Sequence, residues 1–169
     1  MSGEKSMWIT GLTDVETTDL EGVGRIRRDD VGNVYRWIKN THSTTLSQYG
    51  ACCYYGATRS QVSIPSSTAT AVTHLTNLAG LLMAAIPTAN FGWIQCKGIG
   101  VGVIAASIAR SVGEIFGPAN AVQTLTSVAA SAVASDAAVP LRGSLITAPA
   151  SAASSSVTST ASLVLDCML

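Results

Sequence analysis

The chain has 169 residues, enough for one domain whose core needs no disulfide or metal staple. Apolar residues make up 47% and charged residues 12%, about half the usual charged share, and the formal net charge is zero. A surface so thinly charged repels other proteins poorly, so much of it is expected to lie under a partner. A membrane-spanning helix is not expected: the longest apolar run in the uncharged region 60–96 is Leu78–Ile86, far short of the ~20 residues a spanning helix needs.

Fourteen of the twenty Lys, Arg, Asp and Glu residues lie in the first 59 positions. The start, MSGEKSMWIT, lacks the basic and then apolar pattern of a secretory signal. Residues 1–22 read as an extended arm of mixed charge with one large apolar group, Trp8. Such a tryptophan either docks on a neighbour or packs on its own domain. Residues 23–169 read as a single β-rich domain.

Residues 23–40 predict a β-hairpin. Asp29-Asp30-Val31-Gly32-Asn33 has turn chemistry, and Val34, Tyr35, Trp37 and Ile38 are strong strand formers. Arg25, Arg27, Arg28, Arg36 and Lys39 make the hairpin basic, but Glu16, Asp19, Glu21, Asp29 and Asp30 lie beside them, so ion pairs rather than nucleic-acid contacts are expected. Short strands are expected at 51–55 and 61–65, and the apolar run Leu78–Ile86 suits a buried strand closed by Pro87.

The clearest strand is Phe91–Ile104, FGWIQCKGIGVGVI. Its period of two puts Trp93, Gln95, Lys97, Ile99, Val101 and Val103 on one face and Gly92, Ile94, Cys96, Gly98, Gly100 and Gly102 on the other. Glycine at 98, 100 and 102 implies a close approach or a sharp bend there. Residues 105–112 suit a helical turn or a strand, and 119–135 follow neither period. Residues 148–162 are Ala, Ser or Thr at thirteen of fifteen positions and read as a low-complexity loop. The alternation in ASLVLDCML predicts a strand running to Leu169.

No constellation for catalysis emerges. Gly100-Val-Gly102-Val-Ile-Ala105 fits a dinucleotide fingerprint, yet no acid stands near 120–130 to hold a ribose. There is no G-x-S-x-G elbow and no P-loop. Past residue 60 the acids are Glu114, Asp136 and Asp166. Cys52, Cys53, Cys96 and Cys167 lack zinc spacing and read as reduced, buried thiols. No catalytic residue, metal or cofactor is expected. Trp37, Trp93, Tyr54 and Tyr55 could stack on sugars in a carbohydrate-binding β-sandwich, but aromatic packing in a β core explains them more simply.

Two segments carry a resemblance. G-x-x-R followed by Gly32-Asn33-Val34-Tyr35-Arg36-Trp37-Ile38-Lys39-Asn40 resembles the N-terminal region of small virion proteins of tailed bacteriophages. Asn90-Phe91-Gly92-Trp93-Ile94-Gln95-Cys96-Lys97-Gly98 is similar to their Y-G-W-[VI]-Q-x-x-G segment. The motifs cover about a third of the chain, and the Cys52-Cys53 pair and the Ser/Ala tract depart from the group. The resemblance implies a capsid decoration (cement) or minor head protein: a β-barrel or β-sandwich on the outside of a shell, bridging capsomers, without catalysis. It implies the major capsid protein as partner, self-association as a dimer or trimer, no nucleic acid, and a place on the virion after synthesis in the host cytoplasm. A tail, head-fibre or adsorption component is the alternative. Trp8, Arg36, Trp37, Trp93, Gly98, Gly100, Gly102 and Leu169 are the residues expected at protein contacts.

Overall fold

The computed structural model describes residues 8–55, 59–65, 78–104, 116–118, 122–127, 144–145 and 159–167. The described strands are β1 (Ile26–Arg28), β2 (Val34–Asn40), β3 (Ala51–Tyr54), β4 (Gln61–Ser63), β5 (Leu78–Leu82), β6 (Phe91–Ile104), β7 (Phe116–Pro118), β8 (Leu125–Ser127), β9 (Ser144–Leu145) and β10 (Ser159–Asp166). Among the described residues no helix is long and apolar enough to cross a membrane.

The order β2-β4-β3-β5-β6 returns to β2, because β6 pairs with β2 as well as with β5. Five strands therefore close into a barrel, which removes sheet edges that would otherwise recruit other strands. The neighbours are antiparallel except β2 and β4, which run parallel through Lys39–Gln61 and Asn40–Val62. The expected mainly-β barrel or sandwich is thus a barrel, with β1 beside β2 and with β10, β9, β8 and β7 added beyond the closed ring.

β2 is buried on both faces, and its alternation explains how. Ile38 faces the main core with Leu81, Leu82, Ile86, Ile94 and Cys96. Tyr35 and Trp37 face the other way and form a second cluster with Trp93, covered by Trp8, Leu12, Met83 and Phe91. Asn40 closes one end of the interior: its Nδ2 donates to the Ile86 carbonyl at 2.9 Å and to the Thr44 carbonyl at 3.0 Å.

The second cluster has a lid drawn from residues 8–22, the part of the expected arm that the structure describes. Trp8 stands edge-on to Trp93, with ring centroids 5.6 Å apart. Trp93 Nε1 donates to Thr10 Oγ1 at 2.9 Å, and Trp37 Nε1 donates to Asp19 Oδ1 at 2.9 Å. A buried indole N–H needs an acceptor, and here the N-terminal segment supplies both. Glu21 Oε1 in turn accepts from the N–H groups of Ile9 and Thr10 and from Thr10 Oγ1, at 2.7–2.8 Å. Residues 8–22 therefore lie on the barrel rather than reaching away from it. The sequence hid this because the stretch has few apolar residues, and its contacts run through capped polar groups.

β10 also begins earlier than expected. The strand expected from Ala161 starts at Ser159: Ser159 and Thr160, read as part of a low-complexity loop, pair with Ile104 and Val103. Residues 148–158 of that tract, the ambiguous segment 105–112 and Leu169 lie outside the described residues.

Candidate protein-interaction face

β6 pairs with two strands in succession. Phe91–Lys97 pairs with β2, and Lys97–Ile104 pairs with β10. The change comes at Gly98, which has φ +100. A Cβ there would collide with the Asn33 side chain, whose Oδ1 also accepts from the Ile99 N–H at 3.1 Å. Gly98 therefore combines the bend and the close approach that glycine spacing implied. At Gly100 a Cβ would meet Gln95 Oε1 at 2.7 Å and Leu165 Cδ1 at 3.0 Å.

The glycine side of the ribbon is thus its packed side. The opposite side is open. Ile99 is 64% exposed, and Val101 and Val164 are each 40% exposed. Val164 is the cross-strand partner of Ile99, so the two side chains share one face. The turn beside it contributes Val31, 79% exposed and two residues from the Asn33 that holds Ile99.

That turn is built by Asp29. Its Oδ1 accepts from the N–H groups of Val31 and Asn33 at 3.1 and 2.8 Å, and its Oδ2 accepts from Asn33 Nδ2 at 2.7 Å and the Tyr35 hydroxyl at 3.2 Å. Desolvation pushes the Asp29 carboxyl up, but these hydrogen bonds together outweigh it and hold the group below its ordinary value.

The residues expected at contacts fall mostly inside. Trp37 and Trp93 are fully buried and serve the second core. Arg36 is buried in the barrel, with its Cζ 5.7 Å from the centroid of the Tyr54 ring and one guanidinium nitrogen donating to the Arg59 carbonyl at 3.1 Å. Trp8 is half-buried, with the guanidinium carbons of Arg25 and Arg27 4.8 and 5.7 Å from its ring centroid. Gly100 and Gly102 are buried and Gly98 is half-buried, so they shape the ribbon rather than present it. Trp37, Trp93 and Tyr54 offer no sugar-stacking face; of that group Tyr55 is exposed.

Sequence reasoning weighted large aromatics and arginine, the usual anchors of interfaces. It passed over Ile99, Val101 and Val164. The signal for the first two was present, since alternation placed them opposite the glycines. Burying a Val or Ile side chain is worth about 1.5–3 kcal/mol when it is complete. Among the described residues no group of three or more His, Cys, Asp or Glu side chains is placed to hold a metal ion.

No family model matches the chain, and no curated protein matches it. Among solved structures, it is similar to the head fiber gp8.5 N base of bacteriophage phi29, at 8% identity and a TM-score of 0.43. That likeness covers 80% of this chain and 98% of the other. At such values it fixes neither fold nor role.

Proposed function

We propose that this chain is a non-enzymatic structural protein of a bacteriophage particle, mounted on the outside of the capsid as a rigid β-barrel. One observation carries the reading. The two segments that resemble phage virion proteins, 32–40 and 90–98, are neighbouring antiparallel strands, with Trp37 directly opposite Trp93. The resemblance therefore falls on one structural unit rather than on scattered motifs.

The physical design suits such a role. The barrel is sparing in charge, and it presents Ile99, Val101 and Val164 outward. A weak face becomes effective when many copies sit on a repeating lattice, or when copies self-associate, because linked weak contacts multiply. The major capsid protein is the partner this reading names. Two placements share the same chemistry: a cement protein bridging capsomers, and a head-fibre or adsorption component.

Mass spectrometry and imaging of labelled particles test this. The protein is expected in purified particles with signal over the head. Signal at discrete projections or at the tail would replace the cement placement with the second one. Absence from purified particles would overturn the virion reading.

A further inference from the structure

Asp166 pairs with Lys97 at the end of the β6–β10 ladder. One step further along the same register, Cys167 stands opposite Cys96, and the Cys167 N–H donates to the Cys96 carbonyl at 2.9 Å. Directly opposed residues of antiparallel strands put their side chains on the same face. Both residues are buried in the same core cluster. In a hydrogen-bonded pair of this kind the Cα atoms are about 5.5 Å apart, inside the range a disulfide spans.

The other two thiols are placed differently. Cys53 lies opposite Ser63 and Leu78. Cys52 lies opposite Gly80 on β5, and β5 separates it from β6. Cys52 is an electrostatic neighbour of both Cys96 and Cys167, but its Sγ donates to the Gly80 carbonyl at 3.5 Å and no ladder register sets it opposite either of them.

We propose that Cys96 and Cys167 are a reversible dithiol–disulfide site, oxidised by low-molecular-weight disulfides of the glutathione type. Cys167 is the entry point: it is 6% exposed and follows the last residue of β10, whereas Cys96 is wholly buried. Its thiolate attacks one sulfur of the oxidant, forming a mixed disulfide and releasing one small thiol. The Cys96 thiolate then attacks the Cys167 sulfur, closing the ring and expelling the second small thiol. Two protein thiols are oxidised, one small disulfide is reduced to two thiols, and the two protons pass to the departing sulfurs.

Two features set the behaviour of the pair. Desolvation pushes the Cys96 thiol up to about 11, although Arg36 and Tyr54 beside it pull the other way. Thiolate is scarce at neutral pH, so closure is slow and accelerates as the pH rises. Access is the second feature: with Cys96 wholly buried and Cys167 6% exposed, reduction as well as oxidation begins at the Cys167 sulfur. The proposal does not depend on the virion reading.

The test uses the full chain incubated with oxidised glutathione, with thiol counting and a non-reducing peptide map. Two of the four thiols are expected to disappear, with one peptide linking Cys96 to Cys167. Loss should quicken from pH 7 toward pH 9, and excess reduced glutathione should restore both thiols. Cys96→Ala and Cys167→Ala should each abolish the ring, while Cys53→Ala should leave it. Four thiols still free after prolonged incubation, a link through Cys52 or Cys53, an intermolecular link or a persistent glutathione adduct would each overturn the proposal. If a variant fails to fold, the peptide map of the natural chain decides alone.

Discussion

The carboxylate of Glu21 ties the N-terminal segment down, accepting three hydrogen bonds while its second oxygen stands 3.7 Å from Arg25. Removing it strands the Thr10 N–H in a buried place, which costs about 1–3 kcal/mol. Glu21→Ala is therefore expected to lower stability by that amount in urea unfolding, and Glu21→Gln, which keeps an acceptor, by less. Ala89 is strained in the opposite sense: it sits at φ 66 although it carries a Cβ. Ala89→Gly relieves that conformation at some cost in unfolded-state entropy, so stability should hold or rise by up to about 1 kcal/mol. The thiols set an alkaline limit. Burial raises Cys53 to about 12 and Cys96 to about 11 from an ordinary value of 9.0. Above pH 9 the unfolded chain releases these protons while the folded chain still holds them, so stability is full below pH 9 and falls as the pH climbs toward 11. Denaturant midpoints across that window check the sign.

At the scale of elements, the N-terminal segment behaves as part of the barrel. Deleting residues 1–22 strips the acceptors from two buried indole N–H groups and uncovers the faces of Trp37 and Trp93. Each orphaned donor costs about 1–3 kcal/mol before the lost apolar cover is counted. The truncated chain is expected to melt many degrees lower and to show a red-shifted tryptophan emission. The β1–β2 turn depends on Asp29, whose lowered pKa adds stability that is present above the ordinary value near 3.8 and is lost as pH falls through the folded value. The strands themselves were readable where residue type and period agreed, as in Phe91–Ile104 and Val34–Asn40. The lid was not readable, because nothing in the spacing of Thr10, Asp19 and Glu21 announces which indoles they will meet. Ser159 and Thr160 failed for a related reason: in a tract of small polar residues they gain strand structure only from pairing with β6.

For the molecule as a whole, the open ribbon face lies outside the core. Ile99→Ser with Val101→Ser changes exposed side chains and should shift stability by no more than about 0.5 kcal/mol per site. Under the virion reading the same pair should sharply reduce the copies bound per particle, measured by quantitative mass spectrometry. Unchanged occupancy with a folded variant would take this face out of the docking model. A β-rich domain followed from alternation and the choice of barrel or sandwich from the resemblance, but closure followed from neither. Closure is set by β2 meeting β6 across more than fifty residues of chain, a contact no local pattern encodes. The burial of Trp37 and Trp93 was not legible on the same ground, since an indole that suits a docking pocket equally suits a core.

The ring of strands is not equally strong all the way round. β2 and β6 are joined from Val34–Lys97 to Lys39–Phe91, whereas β2 meets β4 only at Lys39–Gln61 and Asn40–Val62, in parallel. The Lys39 and Thr41 N–H groups close that short seam by donating to the carbonyls of Ser60 and Val62. β3–β4 and β5–β6 are as short, but β2–β4 alone among the ring's joints is parallel, the slightly weaker pairing, so local opening draws first on it. In native-state hydrogen exchange the amides of Lys39 and Thr41 should therefore lose protection at lower free energy than the interior amides of β6, and the barrel should unzip there before it melts.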